Sequence, residues 1–293
     1  MSHFTVLVPA EDKGELEAVL LPYHEYECTG IEKYTEFVPA DMDKLQADFE
    51  EYGDGRDLET FADDWAGYTK NDEGVFGCIT NPNKKWDGWS VGGRWSGLLQ
   101  LKDGVDGELG TPGVFGRGYD DLNGRADTAL VKEIDWDAML QEQQDNRAKA
   151  WDNWEAALAI AGKTPEWYLE DFEPRWKAAC EVNDKDVKEA MREEWRLIRK
   201  AVGDNEEDKE ERVLLWAMNF EPRGRTRQEH IESDRALTYA FLDLEGSWNQ
   251  RGQMGWWGMS DESKGTLDYD KAFWQFVKSL PPGQRIYIVD CHI

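Results

Sequence analysis

The chain carries a short, strongly apolar segment close to each of its two ends. Phe4–Val8 reads FTVLV and is closed by Pro9, and Ile286–Val289 reads IYIV. Runs of this length that are rich in β-branched residues are typical of buried strands. We expect these two strands, at opposite extremes of the chain, to pair in one sheet. The predicted fold class is therefore α+β, with a mixed or antiparallel sheet that contains both terminal strands.

Residues 133–202 have the pattern of helices instead of strands. A first helix is predicted to start at Asp135, and a second one at Thr164, whose hydroxyl suits the N-cap position before a proline. A third helix is predicted to begin at Asp184 and to end at Gly203. The middle of the chain is thus expected to be a large helical region.

The flanking segments differ in character from this helical region. Residues 74–125 are dense in glycine and turn residues, which predicts short strands and tight turns, and Leu237–Leu244 predicts a further strand. Tyr269–Leu280 has the spacing of an amphipathic helix. The predicted division is an α+β domain, residues 1–132 with 236–293, and a helical insertion or subdomain, residues 133–235.

Charge is the strongest signal in the composition. The chain has 61 acidic and 34 basic residues, a net charge of −27, and residues 1–80 alone hold 20 acids against 5 bases. Such a surface repels nucleic-acid phosphate and anionic lipid and attracts basic partners or sites that hold DNA. We therefore expect no direct nucleic-acid binding and no membrane binding. The alternative is that the acids only keep the protein in solution.

Residues 40–73 concentrate this acidity on two predicted amphipathic helices separated by Gly53-Asp54-Gly55. They contain 12 acids against Lys44, Arg56 and Lys70. One acid in every two or three residues gives about half the charge density of DNA, whose phosphates lie about 1.7 Å apart along the axis. The acidic face predicted to bind a partner consists of Asp48, Glu50, Glu51, Asp57, Glu59, Asp63 and Asp64.

Sequence motifs that would identify an enzyme are missing. The chain has no phosphate-binding glycine loop, no HExxH and no GxSxG, and it has only four histidines. The four cysteines are widely separated, no basic leader opens the chain, and no apolar stretch approaches the length of a membrane span. We expect a cytoplasmic protein with reduced thiols that is not an enzyme and needs no cofactor or metal.

The chain ends nevertheless offer one candidate for chemistry. If the terminal strands pair antiparallel, His3 falls near Cys291 and His292. These residue types are able to ligate a metal or to form a Cys–His nucleophile. The alternatives are ordinary strand ends, or an edge cysteine that takes part in a contact between subunits.

A second candidate is the segment from Asn81 to Gly97, NPNKKWDGWSVGGRWSG. Its possible binding loop consists of Trp86, Trp89, Arg94 and Trp95, which resemble a stacking platform for a nucleotide or a single strand. The structural alternative is an irregular loop in which glycines permit positive φ and the indole rings cover an edge of the core.

Four segments also carry a resemblance: MSHFTVLV, NPNKKWDGWSVGGRWSG, RGQMGWWG and VDCHI. They resemble a family of bacteriophage proteins, mostly of unassigned function, and the size and acidity are similar to the phage anti-Gabija inhibitors. The resemblance implies a homo-oligomer that wraps a host nuclease–helicase defence complex and blocks DNA binding and cutting. The competing hypotheses are a nucleotide-binding enzyme with a site around Trp86–Trp95, and an accessory phage protein.

Overall fold

The computed structural model describes most of the chain, namely residues 2–25, 33–113, 116, 119, 121–205, 213–220, 222, 225–233, 235–254, 260–261 and 266–293. The helices are α1 Lys13–Leu20, α2 Met42–Tyr52, α3 Leu58–Ala66, α4 Trp136–Ile160, α5 Pro165–Trp167, α6 Glu173–Glu181, α7 Lys185–Asn205, α8 Val213–Ala217, α9 Arg227–Glu232 and α10 Thr266–Ser279. Short 3-10 turns lie at Leu21–Tyr23 and Val131–Glu133, and a π-helical turn at Tyr168–Phe172.

The strands are β1 His3–Pro9, β2 Glu36–Pro39, β3 Thr69–Lys70, β4 Phe76–Thr80, β5 Gly88–Gly93, β6 Leu99–Gln100, β7 Thr111–Pro112, β8 Arg125–Ala126, β9 Thr128–Leu130, β10 Ala240–Leu242, β11 Trp248–Gln250, β12 Gln253–Met254, β13 Ser260–Asp261 and β14 Arg285–His292. The largest sheet has the order β11-β10-β1-β14-β5-β7, and β9 pairs with the beginning of β14. A small sheet of order β2-β4-β3 accompanies α2 and α3.

The two terminal strands lie side by side in the largest sheet. β1 pairs antiparallel with β14, from His3 opposite His292 to Pro9 opposite Ile286. On its other edge, β1 pairs with the parallel strand β10. The α+β prediction, with both terminal strands in one mixed sheet, is confirmed. Because side chains alternate across a sheet, the same pairing sorts them onto two faces.

One face of this sheet is closed by α1. Phe4, Val6 and Val8 of β1 lie in one buried cluster with Leu16 and Leu20 of that helix. The apolar spacing of α1 explains this contact, since Leu16 and Leu20 are four residues apart and share one helix face. Asp12 fixes the start of the helix, because its carboxylate accepts the N–H of Glu15.

By its internal contacts the chain divides into two compact units, residues 1–135 with 236–293, and residues 136–235. The second, helical unit has its own core, in which Trp151 and Trp154 of α4 pack with Ile198 and Val202 of α7. Thr164 caps α5 as its sequence predicts, since its hydroxyl accepts the N–H of Trp167.

Two local predictions are wrong. α7 does not end at Gly203 but continues to Asn205. Gly203 packs against Leu215 of α8, whose side chain lies 3.7 Å from the position that a Cβ on residue 203 would occupy. Packing of this kind outweighs the preference of glycine for a helix end, which is worth about 1 kcal/mol. The strand predicted at Leu237–Leu244 covers only Ala240–Leu242, because side-chain contacts hold the preceding residues: the Thr238 hydroxyl donates to the Ala240 carbonyl, and the Thr238 carbonyl accepts from Tyr269.

Candidate functional site

The pairing of β1 with β14 brings His3 and His292 together at the end of the sheet. Their ring centroids lie 5.2 Å apart. The Nδ1 of His3 lies 2.8 Å from Oδ1 of Asp290, and the Nδ1 of His292 lies 2.7 Å from Oδ1 of Asp87. The His3 imidazole is thus oriented by a hydrogen bond to Asp290, whereas the close approach of His292 to Asp87 does not have hydrogen-bond geometry.

Cys291 does not join these histidines, so the candidate Cys–His pair is not formed. In β14 its side chain points to the face opposite Asp290 and His292, where it is fully buried in the cluster beneath α1. Burial raises the pKa of the Cys291 thiol well above its ordinary value. A buried, neutral thiol is a poor nucleophile and a poor metal ligand.

Among the described residues, the two histidines do not form part of a metal-binding group. Within the described residues no group of three or more His, Cys, Asp or Glu side chains is arranged to hold a metal ion. Ser90 lies opposite Asp290 on β5, on the face of the histidines, but no hydrogen bond in the described part of the chain joins its hydroxyl to either ring. The carboxylate of Asp290 also accepts the backbone N–H of Arg94, which indicates a structural contact between strands.

The glycines of the segment Asn81–Gly97 make room for buried acids. Asp127 is fully buried, and its carboxylate accepts the Ser96 hydroxyl at 2.7 Å and the N–H groups of Gly97 and Gly110 at 2.5 and 2.7 Å. A Cβ on Gly92 would fall 2.2 Å from Oδ2 of Asp127, and the φ of Gly92 is +80°. Only glycine is compatible with both constraints at this position.

The residues of the predicted binding loop take part in the same packing. Trp86 is 5% exposed and lies edge-on to His24, so it offers no open ring face for stacking. Trp89 is half-buried against the cluster beneath α1. Arg94 follows β5 with its N–H bound to Asp290, and the N–H of Trp95 donates to the Gly92 carbonyl in a tight turn. These contacts favour the structural interpretation of the segment.

The acidic helix pair, defined here as α2 and α3, holds the predicted acidic face. Asp41 caps α2, since its carboxylate accepts the N–H groups of Asp43 and Lys44. Asp57 caps α3, and the hydrogen bonds from Thr60 hold the pKa of Asp57 below its ordinary value. Asp57 therefore has a structural role that is independent of any partner.

Among the other predicted acids, Glu50, Glu51, Glu59, Asp63 and Asp64 are exposed and Asp48 is half-buried. Two of them are neutralised locally, because Asp64 pairs with Arg56 and Glu59 with Lys70. In the described part of the chain no cation pairs with Asp48, Glu50, Glu51 or Asp63. These four carboxylates are the acids of the face whose charge is available to a partner.

A row of aromatic rings runs from the interior of the acidic helix pair to its surface. Phe61 is buried, Trp65 stacks on it at 5.5 Å, and Tyr52 stacks on Trp65 at 5.2 Å with an angle of 13° between the rings. Trp65 is 50% exposed and Tyr52 43% exposed. The stacking fixes two large rings at the surface among the carboxylates, an arrangement that sequence reasoning did not identify.

Within the described residues, no helix combines the length and the apolarity needed to cross a bilayer. No protein-family model, curated protein or solved structure matches this chain.

Proposed function

We propose that this protein is a phage-encoded inhibitor that binds a bacterial DNA-handling defence complex of the nuclease–helicase type and blocks its access to DNA. The observation that carries the proposal is the acidic helix pair, where carboxylates without a cation partner among the described residues share two helices with the exposed, stacked rings of Tyr52 and Trp65. The resemblance to the anti-Gabija inhibitors supports the choice of partner. The same proposal makes the protein a homo-oligomer without enzymatic activity, at work in the host cytoplasm.

The physical basis is the match between this surface and a DNA-binding channel. Such a channel is lined with Lys and Arg that bind phosphates, and the carboxylates of these helices present negative charge at about half the linear density of DNA. Charge attracts the partner over a distance of about 8 Å at physiological salt and speeds association. Tyr and Trp supply the apolar anchor, since these residues are enriched among the side chains that dominate binding energy.

Inhibition of DNA cleavage by a purified Gabija complex tests the proposal. The variant D48N/E50Q/E51Q/D63N removes four charges but leaves the cap of α3 and both ion pairs in place. Exposed ion pairs are each worth about 0.2–1 kcal/mol, so we expect the half-inhibitory concentration to rise about tenfold or more. The loss should be largest at low salt, because screening weakens the wild-type contact as salt rises.

The matched control removes the same charge from the helical unit. Glu155, Glu170, Glu181 and Glu189 are exposed there, and replacing all four with Gln should leave inhibition unchanged. If both variants inhibit equally well, the acidic helix pair does not bind the partner. If the wild-type protein does not slow cleavage at all, the inhibitor proposal itself is wrong.

A further inference from the structure

The helical unit contains a cavity that is separate from the acidic helix pair. Its volume is about 880 Å³ and its wall is formed by the π-helical turn, α6, α7 and the three residues that follow α8, 218–220. Pockets of about 300–1,000 Å³ are the usual size for small-molecule ligands. Twelve of the described residues line it, and their chemistry indicates what the cavity could bind.

A π-helical turn shapes one side of the cavity. The N–H of Glu173 donates to the carbonyl of Tyr168, five residues earlier, and Pro174 follows without an N–H of its own. π-helical turns are rare and often lie at functional sites. This turn sets the rings of Tyr168 and Phe172 parallel to within 25°, with their centroids 5.5 Å apart.

These two rings continue into a larger aromatic wall. Trp195 of α7 lies 5.2 Å from Phe172 and 5.6 Å from Tyr168, and Trp176 and Phe220 complete the lining. Trp195 and Trp176 are only half-buried. A flat ligand would therefore meet several ring faces that are already held in place by the core of the unit.

The charged side chains at this wall are mostly cationic. Among the described residues, Lys177, Arg192 and Arg199 line the cavity with a single acid, Glu173, which pairs with Lys177 at 2.8 Å. Arg192 lies over the Trp176 ring at 5.7 Å, and Arg199 donates to the side-chain oxygen of Asn219.

Neither arginine pairs with a carboxylate among the described residues. In a chain with 61 acids against 34 bases, two guanidinium groups at one cavity that pair with no described carboxylate form a local site for an anion. Arginine is also the side chain best suited to bind phosphate oxygens in pairs.

We propose that this cavity binds a free nucleotide. The base stacks against the half-buried rings of Tyr168, Trp176 and Trp195, behind which Phe172 is buried, and the phosphates bind Arg192 and Arg199. Stacking of a base on aromatic rings contributes binding energy whichever base is present, and arginine adds to it over a ring face. A free nucleotide is favoured over a nucleic-acid strand, since the net charge of −27 repels a long polyanion far more than a single nucleotide. This site does not depend on the proposed inhibition of a defence complex.

Isothermal titration calorimetry of the full chain with ATP, with GTP and with a short single-stranded oligonucleotide tests this proposal. We expect saturable binding of one nucleotide per chain for ATP or GTP, and weaker binding of the oligonucleotide. R192Q/R199Q should lower the affinity at least about tenfold, and R192K/R199K should restore part of it, because lysine keeps the charge but loses the paired hydrogen bonds.

Arg196 offers a control on the same helix. It is exposed, lies outside this cavity and pairs with Glu193, so R196Q should bind nucleotide as the wild type does. Trp176→Leu removes one ring of the wall without changing charge. If R192Q/R199Q does not fold, the affinity of Trp176→Leu for nucleotide tests the proposal instead, and we expect that affinity to fall. The proposal is overturned if neither nucleotide binds up to about 1 mM, if the cavity variants bind like the wild type, or if the oligonucleotide binds more tightly than both nucleotides.

Discussion

The acidic helix pair and the cavity of the helical unit both leave aromatic rings accessible, but they surround these rings with opposite charges. Tyr52 and Trp65 project from α2 and α3 among carboxylates. The rings beside Arg192 and Arg199 are recessed in a cavity. A projecting surface fits a macromolecule and a recess fits a small ligand. The charge and shape of the immediate surroundings of a ring, and not the net charge of the chain, therefore determine which class of partner the ring can bind.

The two regions also differ in how their rings are supported. Trp65 rests on the buried Phe61, in a small cluster with Leu45 and Phe76. The cavity wall instead rests on the larger core of the helical unit, where Trp154 packs edge-on to Tyr168 at 5.3 Å. The predictions that follow test these supports, from the largest expected effect to the smallest.

Replacing Trp154 with alanine should remove the support of the cavity wall. The side chain is fully buried, so the free energy of unfolding should fall by about 3–5 kcal/mol. Urea unfolding followed by far-ultraviolet circular dichroism measures this loss. Trp216, in α8, is 69% exposed and provides the control, since Trp216→Ala should change stability by less than about 0.5 kcal/mol. A cost for Trp154→Ala below about 1 kcal/mol would contradict the assignment of this core.

Acid should weaken the helical unit through His230. Burial, together with Arg235, Arg147 and Arg225, lowers the pKa of His230 to about 4 from its ordinary value near 6.5. Between these two pH values the unfolded chain takes up a proton that the folded chain excludes. The stabilising contribution is therefore complete above about pH 6.5 and is lost as the pH falls to about 4. After allowance for solvent screening, its size is on the order of 2 kcal/mol.

The measurement for His230 is the difference in unfolding free energy between the wild type and His230→Phe, followed from pH 7 to pH 4. Phenylalanine keeps an aromatic ring against Trp151 and Phe220 and does not titrate. Taking the difference removes the contribution of carboxylates, which titrate in both proteins. A difference that stays constant over this range would show that His230 is not held neutral by the fold.

In the acidic helix pair, the third stability prediction concerns the end of α3, the helix that carries Trp65. Gly67 terminates this helix with φ +63°, a conformation that costs other residues about 1 kcal/mol, and no atom would touch an added Cβ. Gly67→Ala should therefore lower stability by about 1 kcal/mol through backbone strain alone. Gly67→Asn should cost clearly less, because asparagine tolerates this conformation. Equal losses in the two variants, measured by thermal melting, would argue against a left-handed helix end.

Several features follow from sequence patterns that span a few residues. The apolar runs at Phe4–Val8 and Ile286–Val289 predict the central strand pair, and Thr164 before Pro165 predicts the start of α5. The apolar spacing within residues 40–68 predicts both α2 and α3. These predictions succeed because hydrophobic period and capping chemistry act between near neighbours in the chain.

The sites required contacts between residues that are far apart in sequence. Asp290 binds His3 across 287 positions and the N–H of Arg94 across 196 positions, and no local pattern marks this carboxylate as buried. The cavity likewise depends on α6, α7 and the residues after α8 meeting around a π-helical turn. The sequence alone determined the fold class, the terminal strand pair and the acidic helices, since these depend on periodicity and composition. Only the tertiary structure decided that Cys291 faces away from the histidines and that Arg192 and Arg199 meet an aromatic wall, because packing between distant segments sets which side chains share a space.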